Sequence, residues 1–281
     1  SIRFYSSILP NLYSYILLQS QRFSTEALNR HTATLRMRGR PKVVLARTYE
    51  EAMALYDKYS ANTLGVISDV RFPMGGVKDP EAGLKLLRAI RAKDEYVPLI
   101  IESSEAHNRE RAEAEGFRFV DKNSKKMSLD LRRLLEEHMG FGDFIFRDPK
   151  THAEIMRIHS LKELQDNIFK IPDDSMLYHI SRNHMSRWLS ARAIFPVSAF
   201  LKNVTWHKLQ DVQAHRKIIF DAIVQYRHMK NIGVVAVFDR LKFDAYSHFA
   251  RIGEGSLGGK GRGLAFLDSV IKRHPDFNQY K

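Results

Sequence analysis

Residues 63–76 read TLGVISDVRFPMGG, and this run decides the fold. Leu64, Val66 and Ile67 make a short buried strand, and Pro73, Gly75 and Gly76 make the loop that ends it. Asp69 is the acid at the point where strand gives way to loop. In open α/β sheets ligands collect beyond the carboxyl ends of the strands, which gives such an acid a place in chemistry. An aspartate that caps the turn is the other reading of the same residues.

Outward from this strand the pattern alternates. PKVVLA (41–46) reads as a strand, and TYEEAMALYDKY (48–59) reads as an amphipathic helix with Thr48 as N-cap and Glu51 in the capping-box position. On the other side come a helix over Glu81 to Arg91, the strand VPLIIES (97–103) and the helix EAHNRERAEAEG (105–116), which Gly116 ends. The strand FRFVDK (117–122) and a helix from Leu129 to Met139 complete the series. The first 23 residues read as one helix, or as a strand followed by a helix from Pro10. Strands alternating with helices call for an α/β fold, a doubly wound parallel sheet with right-handed crossovers.

The rhythm changes at GFGDFIFRDPKTHAEIMRIHS (140–160), where two apolar runs flank DPKTH. This predicts a β-hairpin and a domain boundary near residue 140. Ser160 with Glu163 opens a helix, and the chain to Asn231 is mainly helical in pattern, broken at Pro172 and Pro196, before a short strand in VVAVFD (234–239). The expected division is therefore an α/β domain over 1–140, a hairpin plus helical connector over 141–250, and the start of a further domain over 251–281.

Composition narrows the function classes. There is no cysteine, so neither a disulfide framework nor a thiolate metal site can form. No segment carries the run of about 20 apolar residues that a membrane helix needs, and no signal peptide is read, so the expectation is a cytoplasmic protein without a membrane partner. The chain starts without methionine and stops after a glycine-rich loop, which suggests a piece of a longer protein. Net charge is +13, and the excess lies after Ser181 on Arg182, Arg187, Arg192, Lys202, Lys208, Arg216 and Lys217. Charge spread in this way reads as solvated helix faces, so a specific nucleic-acid partner is not expected. His179 and His184 are five residues apart, not the three or four that align two ligands on a helix face. Trp188 and Trp206 are assigned to packing of the helical region.

With that order in place, the first 140 residues resemble the receiver domain of two-component response regulators. Asp69 ends the third strand, with Pro73 following as in the family's phosphoacceptor loop. Ser103 ends PLIIES, Lys122 ends FRFVDK, Phe119 falls at the aromatic switch position, and Gly83 fits in GLKLLRAIR, after extra residues GGVKDPEA. The resemblance implies a flavodoxin-like order of five strands. It implies Asp69 as phosphoacceptor, Lys122 as the cation, Ser103 as the hydroxyl that follows the phosphate, and Ser103 and Phe119 as the switch pair. It also implies Mg²⁺ held by Asp69, the Arg71 backbone carbonyl and an acid pair at the end of the first strand. No Asp or Glu precedes Glu26, so the acid pair is absent and the first strand is missing, unless Ile2 to Ser7 replace it. The partner implied is a sensor histidine kinase or a small phosphodonor.

LGGKGRGLAFL (257–267) resembles the opening of the nucleotide-binding domain of phosphoenolpyruvate synthase and pyruvate phosphate dikinase. It is not a Walker A loop, because Glu254 stands at the first glycine and Gly261 where Ser or Thr would bind Mg²⁺. The resemblance implies that Gly258, Gly259 and Lys260 approach ATP phosphates in a site these residues leave incomplete, and that ATP belongs to the longer parent. Together the two resemblances imply a regulatory, non-catalytic segment controlling an ATP-dependent phosphotransferase, its partner being the downstream catalytic domain of the same chain. The alternatives are a response regulator whose basic helical half binds DNA and a degenerate pseudo-receiver scaffold.

Overall fold

Three short apolar runs become strands because each finds a parallel neighbour. In the computed structural model, residues 9–24, 34, 37–208, 211–238, 240, 244–253, 255–274, 276 and 277 are described. Val66–Asp69 (β1), Leu99–Ser103 (β4) and Arg118–Asp121 (β5) form a parallel sheet in the order β1-β4-β5. The register sets Ile67 opposite Ile100, Asp69 opposite Glu102, and Ser103 opposite Asp121. Between β1 and β4 the chain makes an antiparallel hairpin, Phe72–Met74 (β2) with Val77–Asp79 (β3). Its turn is Gly75-Gly76, both at positive φ (63° and 80°), the geometry for which a hairpin turn selects glycine.

Side-chain alternation along the strands serves two cores. Ile67, Ile100 and Val120 face Leu12, Tyr15, Ile16 and Phe23 of Leu9–Ser24 (α1), with Met127, Leu131 and Leu135 of Met127–His138 (α5). Val66, Leu99, Ile101 and Phe119 face the other way. They meet Tyr56 of Tyr49–Tyr59 (α2), Leu84, Leu87 and Ile90 of Ala82–Lys93 (α3), and Ala112 of His107–Ala114 (α4). Helices thus cover both faces of the sheet. Each fully buried aliphatic side chain contributes about 1.5–3 kcal/mol, which makes these central residues the main support of the layer.

Capping residues begin the helices as the sequence indicates. The Thr48 hydroxyl accepts the Glu51 N–H at 3.1 Å, and the Glu51 carboxylate accepts the Arg47 N–H at 2.7 Å. Pro10 sits in the first turn of α1, where its missing N–H costs nothing, so the opening segment is a helix from Leu9; Ile2 to Ser7 lie outside the described residues.

One expected strand is not formed. Residues 41–46 belong to no sheet, with Val44 57% and Leu45 38% exposed. An extended segment becomes a strand only when a neighbour takes its N–H and C=O groups. Among the described residues β1 pairs only with β4, so no strand stands between β1 and residues 41–46. The five-stranded sheet implied by the resemblance is therefore three-stranded over the described residues. The loop expected at 72–79 is the β2–β3 hairpin.

Phe144–Arg147 (β6) and Glu154–Ile158 (β7) form the hairpin anticipated around DPKTH. It packs against Leu161–Asn167 (α6) and Asp173–Ser181 (α7), and His184–Ala191 (α8), Phe195–Asn203 (α9) and Val212–Asn231 (α10) complete the same core. The core of this half holds Phe146, Leu164, Met176, Trp188, Leu189, Ile219 and Ile223, with Trp206 packed against it. Beyond it Val235–Val237 (β8) pairs in parallel with Phe249–Arg251 (β9), and Gly259–Arg273 (α11) follows.

Candidate functional site

Parallel strands bring their carboxyl ends to one edge of the sheet, where Asp69, Ser103 and Lys122 all stand and where Asp69 and Lys122 are in contact. Asp69 is the last residue of β1, Ser103 the last of β4, and Lys122 directly follows β5. Lys122 Nζ lies 2.7 Å from Asp69 Oδ2. The other Asp69 oxygen accepts the Val70 N–H at 2.7 Å, so the carboxylate is fixed at both oxygens. Its side chain remains 39% exposed. Gly83 lets α3 approach this edge: a Cβ there would stand 1.9 Å from the Asp69 carbonyl oxygen, and the Gly83 N–H donates to the Val70 carbonyl at 2.9 Å.

Ser103 faces the other side of the sheet. Its hydroxyl accepts from the Glu105 N–H at 3.1 Å and from buried Asn108 Nδ2 at 3.0 Å. Those two bonds order the loop from β4 into α4. Phe119 packs partly buried against the α2–α4 core, with the Arg109 guanidinium over its ring at 4.8 Å.

Glu102 is the member of this cluster that motif reading missed. It is 5% exposed, opposite Asp69 in register, with Lys122 Nζ 3.5 Å from its Oε1. Burial pushes its carboxyl above the usual carboxylate range, Lys122 opposes the rise, and the Asp69 charge adds to it. The signal in the sequence was an acid at the end of the apolar run LII, where a buried charge requires a partner. In the loops that follow β1 and β4, Arg71 forms an ion pair with Glu105.

The residues present do not make the Mg²⁺ site implied by the resemblance. Asp69 is engaged at both oxygens, the adjacent carboxylate of Glu102 faces a lysine, and no group of three acidic or histidine ligands occurs among the described residues. The second candidate set stands elsewhere. Gly258 is the N-cap of α11 without a side-chain capping bond, and Gly259 and Lys260 are exposed in its first turn. The helix rests on the turn after α10, where Ser269 and the Ala265 carbonyl approach Gly233. This end of the chain contributes nothing to the Asp69 cluster among the interactions of the described residues.

His179 and His184 do meet. His179 Nε2 accepts the Arg147 N–H at 3.0 Å, which leaves the proton of the neutral ring on Nδ1 to be donated to His184 Nδ1 at 3.0 Å. Burial holds both rings below the usual histidine range. They join the hairpin to α7 and α8 as neutral packing groups. Comparison of the chain with protein-family models, with curated proteins and with solved structures gave no match.

Proposed function

We propose that this chain is a regulatory segment in which a receiver-like α/β domain accepts a phosphoryl group at Asp69 and conveys the change to its helical half. The single observation that carries the reading is the meeting of Asp69 and Lys122 at the carboxyl edge of adjacent parallel strands, with Ser103 ending the strand between them. The chemistry suits the residue types. Asp69 is an exposed carboxylate nucleophile, Lys122 a fixed cation for the transferring oxygens, and Ser103 a hydroxyl at the end of the strand between them. The donor would be a sensor histidine kinase or a small acyl phosphate. Within a cytoplasmic protein, residues 251–281 would open an ATP-binding domain of the phosphoenolpyruvate synthase type, with Lys260 directed at its phosphates and the first domain regulating it.

A second reading, a pseudo-receiver scaffold that is not phosphorylated, is favoured by the mismatch between the donor set and Mg²⁺. Intact-mass measurement after incubation with acetyl phosphate, with and without Mg²⁺, separates the two. The proposal expects one added phosphoryl group that Asp69→Asn abolishes. A folded wild-type chain that takes up none in either condition is the scaffold.

A further inference from the structure

We propose that Glu102 is a positioning residue of the phosphoryl site: as an anion it shares Lys122 with Asp69 in the resting chain, and it takes up a proton when the phosphoryl group arrives, which leaves Lys122 to that group alone. The inference rests on the reading of Asp69 as phosphoacceptor and couples its reaction to pH.

The strands set the geometry. Asp69 and Glu102 stand opposite each other in register and, by alternation along β1 and β4, on the face of the sheet that Ile67 and Ile100 share. Lys122 Nζ lies 2.7 Å from Asp69 Oδ2 and 3.5 Å from Glu102 Oε1, so one ammonium serves two carboxylates. The two acids differ in their access to water, the Asp69 side chain being 39% exposed and that of Glu102 7%. Among the described residues, Lys122 and Asp69 are the charges that act on Glu102. The helices over this face, α1 and α5, meet it with Leu12, Ile16, Met127 and Leu131, and with Tyr15, whose phenol donates to Glu136 at 2.8 Å. Burial already disfavours the Glu102 anion, and the facing Asp69 charge disfavours it further.

Charge decides which group responds to the transfer. An Asp69 oxygen attacks phosphorus, a new O–P bond forms, and the bond from the donor's acyl oxygen to phosphorus breaks, the donor carboxylate leaving with the electron pair. No redox partner is required. Asp69 thereby changes from one negative charge to about two. The added charge faces a buried anion whose cation, Lys122, is drawn to the phosphoryl oxygens. A proton taken from solvent by a Glu102 oxygen removes that anion, and the summed charge of Asp69, Glu102 and Lys122 is then about the same as before the transfer. Neutral Glu102 gives up its share of Lys122 and gains an O–H donor of its own. The coupling is reciprocal: if the phosphoryl group strengthens proton binding at Glu102, a lower pH favours the phosphorylated chain by the same factor.

The test follows phosphoryl uptake from acetyl phosphate by intact mass, from mildly acidic to mildly alkaline buffers, with Mg²⁺ and again with EDTA. The donor's own titration is common to every chain and cancels in the comparison. Glu102→Gln, neutral at every pH, is expected to match wild type at acid pH and to exceed it about tenfold at alkaline pH, the factor that one pKa unit of coupling represents. Glu102→Asp, which keeps the charge, should keep the wild-type profile. In weak buffer a pH indicator should record net proton uptake by the wild type against an Asp69→Asn blank, and none by Glu102→Gln. Should Glu102→Gln fail to fold, as circular dichroism would reveal, the proton uptake of the wild type carries the test alone. Phosphoryl uptake that Asp69→Asn abolishes, with one pH profile for wild type and Glu102→Gln and no proton uptake, overturns this inference and leaves the Asp69 reading standing. Slower uptake by Glu102→Gln at every pH does the same, since the anion would then be the working form. No phosphoryl uptake by wild type or by Glu102→Gln at any pH overturns both.

Discussion

Glu102 shows how a single buried charge ties the site to stability. Its carboxyl titrates above the unfolded value because burial disfavours the anion. A carboxyl shifted upward contributes stability below its unfolded pKa, and that contribution is lost as pH rises through the folded value. Glu102 therefore costs stability at neutral pH, and Lys122, 18% exposed at its side chain, limits the cost. Replacing Lys122 with Met leaves the carboxylate without its cation. Urea unfolding at neutral pH should show a loss of about 1–3 kcal/mol, shrinking on acidification as Glu102 takes up a proton. Glu102→Gln added to Lys122→Met should restore most of it. A double variant no more stable than Lys122→Met would mean that Lys122 acts through Asp69 alone.

At the scale of the element, the contact between α3 and β1 is the tightest constraint on the site. The start of α3 reaches the end of β1 only because residue 83 has no Cβ; a methyl group there would stand 1.9 Å from the Asp69 carbonyl oxygen, against backbone that cannot rotate aside. Gly83→Ala should therefore lower stability by about 2–4 kcal/mol despite the better helix propensity of alanine, and thermal unfolding measures it. An unchanged melting temperature would show that α3 can shift without cost. Elements of this kind were legible where local chemistry specifies them. Thr48 with Glu51 and Ser160 with Glu163 open helices at the expected places, and LIIES and RFVD carry the apolar pattern of covered strands. Residues 41–46 carry a strand pattern too, yet pairing depends on a neighbour that no local pattern supplies. The β2–β3 hairpin escaped for the opposite reason, because Pro73, Gly75 and Gly76 read as loop although Glu50 ties the turn to α2. Asp69, Ser103 and Lys122 were legible from their places at strand ends. Glu102 and the Arg71–Glu105 pair were not, since each depends on which residues face one another across strands and loops.

Across the whole molecule, the helical half grips the α/β half at the edge opposite Asp69. The Arg187 guanidinium donates to the Tyr96 carbonyl at 2.7 Å, just before β4 begins, while Asp69 and Ser103 stand where β1 and β4 end. Arg192 fastens the connection between the halves. Its guanidinium donates to the carbonyls of Gly140 and Gly142, each at 2.8 Å, and lies between the rings of Phe23 in α1 and Trp188 in α8, at 4.1 and 3.9 Å. Trp188 Nε1 donates to the same Gly142 carbonyl at 3.1 Å. A connection held this closely does not act as a loose hinge. Arg192→Met keeps much of the side-chain bulk and removes the donors, taking the guanidinium from the Gly140 carbonyl and leaving Gly142 with Trp188 alone, at a cost of about 1–3 kcal/mol. The two tryptophans, Trp188 and Trp206, both belong to the helical half, so fluorescence follows that half whereas circular dichroism follows both. In urea the two signals should coincide for the wild type, as one cooperative unit requires, and separate in Arg192→Met as each half unfolds at its own midpoint. Coincident transitions in the variant would place the coupling in contacts other than the Arg192 clamp, with Arg187 on Tyr96 the next to remove.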